Sequence, residues 1–245
     1  MTALELVQKH LDVAKNYKTV YMWGVFGAPV TEAIISEKAK QYPSWYTASK
    51  IAELRKLIGK GYFGFDCVNL TKGILWGWNG NRNAYYGGAA YAKKGTIPDV
   101  SADGAIALCK DVSTDFSKLT VGEALWMRGH WGIYVGDGLA VECTPIWKNG
   151  VQITAVGNIG AKSGYKTRTW TKHGKMPWVD YAGEKTETNK NATIIINNKT
   201  YPIDRLMVGG RNYFAIREIV SVLNEAGVAN IEVGNKGDIA VLTFK

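Results

Sequence analysis

GHWGIYVGDGLAVECT, residues 129–144, is the stretch that decides how this chain folds. Apolar and polar residues alternate on both sides of Gly136-Asp137-Gly138, which reads as a β-hairpin closed by a three-residue loop. With that loop Val135 faces Leu139, Gly132 lies opposite Glu142 and His130 opposite Thr144. Trp131, Ile133, Val135, Leu139, Val141 and Cys143 then share an apolar face, and His130, Gly132, Tyr134 and Glu142 share the other. His130 and Glu142 become diagonal neighbours with Cβ atoms about 7 Å apart, within reach of long polar side chains. The missing side chain at Gly132 leaves room for that contact.

Strand patterns continue on both sides, in ALWMRG (124–129) and VQITAV (151–156). Upstream the period changes. Residues 3–16 set Leu4, Val7, Leu11 and Ala14 along one side of a helix, and 66–78 read as a second helix carrying Val68, Leu70, Ile74 and Leu75. TASKIAELRKLIG (47–59) is a third helical stretch. Helices first and a meandering antiparallel sheet afterwards predict an α+β domain over residues 1–182. Residues 183–191 are polar and read as a linker. Residues 192–245 start again as a small β-rich module. It has strands around Asn197-Asn198, a turn at Gly209-Gly210, and one helix with Ile216, Ile219, Val220 and Leu223 on a face, stopping at Gly227. A closing pair of strands follows.

The 245 residues, 46% hydrophobic, suffice for a real core without staples. Three cysteines, Cys67, Cys109 and Cys143, are too few and scattered for a disulfide framework, and no spacing suggests zinc. No metal or cofactor is expected. The formal charge of +9 divides unevenly. Residues 183–245 hold 8 Lys+Arg and 7 Asp+Glu, a net +1, which leaves +8 for residues 1–182. A basic main domain favours a polyanionic partner, whether nucleic acid, membrane surface or anionic wall polymer, but no Lys/Arg tract or nucleic-acid motif supports the first, and an ordinary basic surface accounts for the charge as well. The N-terminus alternates charged and apolar residues rather than reading as a signal peptide, and no run approaches a membrane span. The expectation is a soluble chain made in the cytoplasm, needing another exit route if it acts outside the cell.

Asp66 can cap a helix whose first turn holds Cys67. Free backbone N–H groups and the helix dipole there favour a thiolate and predict a lowered thiol pKa. Taken alone, the stretch equally fits a small apolar residue packed under the helix. Of the three histidines, His10 and His173 read as exposed. His130 is the one placed beside a carboxylate. Glu142 holding the imidazole tautomer, His130 taking a proton and Cys67 attacking a carbonyl make the orienter, base and nucleophile of a cysteine hydrolase. Parity points Cys143 into the core, and Cys109 reads as structural.

YMWG (21–24), GFDCVNL (64–70), LTVGEALW (119–126) and GHWGIYVGDG (129–138) follow one another as they do in the NlpC-type cell-wall peptidases, a papain-like family that residues 1–145 resemble. The resemblance implies Cys67 as nucleophile, His130 as base and Glu142 in the third catalytic position. It also implies that Tyr21 lines the site and helps hold the oxyanion, with Trp23 and Asp66 alongside. Two departures stand out. The family usually has a polar residue, often histidine, where this chain has Glu142, and an acidic orienter is closer to CHAP-type amidase/peptidases. Residues 25–63 also separate blocks that usually lie close together, and form a lid or one wall of the substrate groove, or else added scaffold. The C-terminal module resembles copper-amine-oxidase-N-like repeats appended to some wall enzymes, which implies a wall-binding or stalk element; a dimerisation module is the competing reading. Together these features predict an endolysin released by a holin. It would act on bacterial peptidoglycan and anionic wall polymers, without nucleic acid or membrane insertion. The bond expected to be cut joins D-glutamate to the diamino acid. An N-acetylmuramoyl-L-alanine amidase and a non-catalytic wall-binding protein are the alternatives.

Overall fold

The computed structural model describes the backbone of residues 1–84, 86–88, 96–181, 187–196, 199–208, 211–214, 216–228, 231–236 and 239–244. The chain divides into two compact units, Met1–Tyr181 and Ala182–Lys245. Both mix helices and strands, so the α+β class expected from the sequence is the one observed.

The first unit opens with α1 (Ala3–Asn16), started by a capping box in which the Thr2 hydroxyl accepts from Glu5 N–H and the Glu5 carboxylate accepts from Thr2 N–H. Its buried face is Ala3, Leu6, Val7, His10 and Val13, rotated from the Leu4/Val7/Leu11/Ala14 line expected. His10 is therefore not a surface residue. It is wholly buried, with Nδ1 2.8 Å from Leu6 O and Nε2 3.0 Å from Thr71 Oγ1.

After α1 the chain forms β1 (Thr19–Tyr21), β2 (Phe26–Pro29), α2 (Glu32–Gln41), α3 (Ala48–Arg55), β3 (Phe63–Phe65) and α4 (Cys67–Leu75). β3 is the middle strand of a small sheet, parallel to β1 with Tyr21 opposite Phe65, and antiparallel to β2. The segment 25–63 is thus a detour. It leaves along β1, builds α2 and α3 around its own core of Met22, Val25, Val30, Ile35, Tyr46 and Leu54, and returns beside its starting point.

The remaining elements are α5 (Ala102–Leu108), β4 (Lys110–Ser113), β5 (Ala124–Met127), β6 (His130–Gly136), β7 (Leu139–Thr144), β8 (Gly150–Val156), β9 (Thr167–Arg168) and β10 (Lys172–Lys175). They form a seven-stranded sheet in the order β4-β10-β5-β6-β7-β8-β9. The pairing is antiparallel throughout except where β9 joins β8. In the β6–β7 hairpin Gly132 faces Glu142, Ile133 faces Val141 and Tyr134 faces Ala140, the register that the alternation predicts. Near the tip it shifts. Gly136, not Val135, pairs with Leu139, which leaves Asp137-Gly138 as a two-residue turn with φ of +50° and +70°. Asp-Gly suits that left-handed pair of positions, and the extra residue is absorbed as a bulge.

One sheet face presents Trp131, Ile133, Val141, Cys143 and Val151 to α1 and α4, where they pack with Leu6, Leu70 and Ile74. Burying each large side chain there contributes about 1.5–3 kcal/mol. The opposite face, expected to be polar, is covered as well. Trp170, Phe116, Leu125, Tyr134, Ala140 and Val156 form a second layer. His173, read from the sequence as exposed, is buried beneath this layer with Nδ1 2.6 Å from Glu123 Oε2 and Nε2 3.0 Å from Asp115 O.

The second unit consists of β11 (Glu187–Ile196), β12 (Lys199–Val208), β13 (Arg211–Phe214), α6 (Ile216–Glu225), β14 (Ile231–Lys236) and β15 (Ile239–Phe244). Ile196 pairs with Lys199, Val208 with Arg211 and Lys236 with Ile239. The turns expected at Asn197-Asn198 and Gly209-Gly210 lie outside the described residues, between strands that pair as that reading requires. The linker expected at 183–191 is shorter, because β11 already begins at Glu187 and continues the long ladder with β12. Residues 182–186 lie outside the described residues. On α6 Val220 and Val222 are buried, and Gly227, at φ +65°, ends the helix.

Candidate active site

α4 begins where the sequence indicates. Asp66 is its N-cap, and Oδ1 accepts Asn69 N–H at 2.8 Å. Oδ2 accepts Asn69 Nδ2 at 2.6 Å and Gly24 N–H at 2.9 Å. One carboxylate thus ties the Tyr-Met-Trp-Gly block to α4 across the whole detour. Gly24 sits at φ +73° with the Tyr42 ring where a β-carbon would point, so only glycine lets α2's end pack this closely. Burial pushes the Asp66 carboxyl up to about 6, against the pull of its N–H donors.

Cys67 is the first residue of α4, and only 7% of it is exposed. Its thiol pKa is not lowered. Burial, and then the Asp66 carboxylate, push it up to about 12, and the backbone N–H groups of Val68, Trp131 and Cys67 itself only partly oppose this. The helix terminus is outweighed because the thiol is buried beside a carboxylate. Sγ lies 3.9 Å from the Gly129 carbonyl, and Trp131 N–H also bears on it. The resting thiol is therefore set against the backbone on either side of His130, with its hydrogen bond made to Gly129 rather than to the imidazole.

His130 follows the tight β5–β6 turn, in which Met127 pairs with His130. Asp103 holds that turn, with Oδ1 accepting Gly129 N–H at 2.8 Å and Trp126 Nε1–H at 2.9 Å. His130 Nε2 is 2.6 Å from Glu142 Oε2. An ionised Glu142 makes Nε2 the protonated nitrogen and leaves Nδ1 as the acceptor. The ring stacks on Trp170 with centroids 5.5 Å apart and planes 7° apart. A β-carbon on Gly132 would lie 2.8 Å from Trp170 Cη2, so the room at Gly132 is taken by the indole under the histidine.

Glu142 is fully buried and fully engaged. Oε1 accepts the Thr154 hydroxyl at 2.7 Å, and Arg168 Nε lies 2.9 and 2.7 Å from the two oxygens. Burial raises its pKa, but the His130 and Arg168 hydrogen bonds more than offset this and hold the carboxyl below its ordinary value. Arg168 also lies over Trp147, with the guanidinium carbon 4.8 Å from the ring centroid.

A cavity of about 720 Å³ opens beside Cys67 and includes Tyr21, Trp23 and Asp66. Its far wall is the detour, since Glu37, Lys38, Gln41 and Tyr42 of α2 line it. Tyr21 is buried. That burial, and then the neighbouring Cys67 and Asp66, push its phenol pKa up, so it remains a proton donor. Trp23 is 44% exposed at the rim. Lys72 Nζ contacts Asp99 Oδ1 at 2.7 Å and Val100 O at 2.9 Å within the same cavity. Cys143 is buried in the core with Sγ 3.3 Å from Phe65 O, away from His130's face, and Cys109 Sγ is bonded to Ala105 O.

The structure thus brings together His130 and Glu142, places Cys67 against the chain around His130, and sets Tyr21, Trp23 and Asp66 around the cavity. Sequence reasoning missed Arg168, Thr154, Trp170, Asn69 and Asp103. Arg168 and Trp170 carry a faint signal, being two apart in KTRTW and so on one strand face, but nothing in the sequence says that β9 joins β8. Among the described residues no cluster of three or more His, Cys, Asp or Glu side chains could hold a metal ion, and no helix is long and apolar enough to cross a membrane. Comparison with protein-family models, with curated proteins and with solved structures finds no match to this chain.

Proposed function

We propose that residues 1–181 are a papain-like cysteine hydrolase that cuts an amide bond in the stem peptide of bacterial peptidoglycan, and that residues 182–245 bind the wall. The observation that carries the reading is the 2.6 Å His130–Glu142 hydrogen bond, formed next to a helix-terminal cysteine that opens onto a cavity. A buried, paired carboxylate fixes the imidazole with Nδ1 unprotonated, which is what a general base for a thiol requires. Because the thiol is neutral at rest, its proton leaves as attack begins. Sγ gives up the Gly129 carbonyl, the proton passes to His130 Nδ1, and the sulfur adds to the substrate carbonyl. Tyr21 O–H and Cys67 N–H are the donors available to the resulting oxyanion. Collapse of that intermediate gives an acyl-enzyme and the free amine, which takes its proton from His130. Water, activated by His130, then releases the acid.

The substrate reading rests on the sequence resemblance and on the +8 carried before residue 183, which favours approach to an anionic wall and weakens with salt. The bond between D-glutamate and the diamino acid is the first choice. The acidic Glu142 favours an N-acetylmuramoyl-L-alanine amidase as the second. An endolysin released by a holin is the biological setting we infer. Turbidity loss of purified peptidoglycan with wild type and Cys67→Ala, followed by mass spectrometry of the products, tests the proposal. The variant is expected to lose at least about a thousandfold in rate. Lysis that survives the substitution refutes the mechanism, and whole stem peptides freed from glycan select the amidase.

A further inference from the structure

Among the described residues three other than glycine have a positive φ. Two of them, Asp111 and Asp137, carry the short polar side chain that tolerates it. The third is Trp147, a bulky residue at φ +64° in the loop between β7 and β8, and 43% of it is exposed. Neither the left-handed backbone nor the exposed indole favours the folded state. A strained, exposed aromatic residue held in one place points to a role beyond packing.

The strain is imposed from β8. Gln152, buried and paired in register with Glu142, donates from Nε2 to Ile146 O at 3.0 Å and to Lys148 O, and its Oε1 accepts Lys148 N–H at 3.4 Å. One side chain thus clamps both neighbours of Trp147. The clamp sets the indole against Arg168, whose guanidinium carbon lies 4.8 Å from the Trp147 ring centroid and 5.8 Å from that of Trp170. β9 is a two-residue strand at the edge of its sheet, yet the Arg168 side chain is only 11% exposed. Trp170, itself buried, covers the guanidinium from within, and the exposed Trp147 covers it from the solvent side. Water at a sheet edge would otherwise weaken the pairing of Arg168 with Glu142.

We propose that Trp147 is a positioning residue: it keeps water from the Arg168–Glu142 ion pair and so holds the Glu142 carboxylate against His130. It is not in the wall of the Cys67 cavity and acts through Arg168. Its effect on rate rests on the hydrolase reading above, whereas its effect on the His130–Glu142 bond is read without any substrate. Nitrogen-15 NMR of the histidine rings follows solvent exchange of His130 Nε2–H in wild type, Trp147→Gly and Trp147→Phe. Glycine suits the left-handed backbone and removes the ring, while phenylalanine keeps both the strain and a ring. Trp147→Gly is expected to melt within about 3 °C of wild type and to exchange this proton about tenfold faster, with Trp147→Phe close to wild type. On peptidoglycan, Trp147→Gly should lower kcat about fivefold in the wild-type background and leave it unchanged in an Arg168→Gln background. Unchanged exchange in Trp147→Gly, equal exchange in the two variants, a larger fall in its melting temperature, or rate losses that multiply in the double variant each overturn the proposal. Faster exchange in a protein that leaves peptidoglycan intact supports Trp147 as the cover while refuting the hydrolase mechanism.

Discussion

His10 offers a test of the fold that does not depend on any function. It is fully buried in α1, and burial lowers its pKa from 6.5 to about 4 despite the Leu6 carbonyl. The hydrogen bonds say which neutral form is present. Leu6 O accepts, so Nδ1 carries the proton, and Nε2 must accept from the Thr71 hydroxyl, whose oxygen also receives Trp131 Nε1–H at 3.1 Å. A second proton on the ring would break the Thr71 bond and bury a charge. With the folded pKa below the unfolded one, the contribution is complete above pH 6.5, fades as pH falls and is lost near pH 4. At about 1.4 kcal/mol per pH unit, the gap amounts to about 3 kcal/mol. All nine tryptophans lie between Trp23 and Trp178, so tryptophan fluorescence reports the first unit alone. Urea unfolding followed in this way at pH 7 and pH 4 should show wild type losing about 3 kcal/mol more than His10→Gln across that interval. Parallel losses in the two proteins would refute the burial of His10 and, with it, the rotation of α1.

Gly132→Ala should cost about 1–3 kcal/mol, because its β-carbon meets Trp170 Cη2 at 2.8 Å and Val141 O at 3.2 Å. For a domain of this size that lowers the melting temperature by about 2–12 °C, and an unchanged melting curve would remove Trp170 from beneath His130. Arg168→Gln takes away the cation that shares Glu142 with His130. Glu142 is then held less firmly against His130, and kcat on peptidoglycan should fall by about tenfold with KM little changed. An unchanged kcat would remove Arg168 from the support of the site.

What the sequence disclosed follows from what is local. Asp66 at the start of α4 and the β6–β7 register away from the hairpin tip are set by residues a few positions apart, and both were legible. His10 and His173 were misread for a shared reason. A polar side chain can be buried when a distant partner satisfies it, and Thr71 and Glu123 lie 61 and 50 residues away. The hairpin also gave the diagonal of His130 and Glu142 without the indole beneath it, since Trp170 arrives from another strand. For Cys67 the helix terminus could be read, but the burial of its thiol could not, and that is what sets the direction of its pKa.

The small sheet of β1, β3 and β2 suggests a way to rework this protein. Because β3 pairs with β1 directly and β2 sits on the outer edge, residues 30–62 leave and re-enter a frame that α4 and its cysteine share. Their exchange for another helical pair would replace the wall of Glu37, Lys38, Gln41 and Tyr42 while Asp66 still had Gly24 to hold. The segment is a natural cassette, through which the far wall of the cavity can be altered independently of α4 and Cys67.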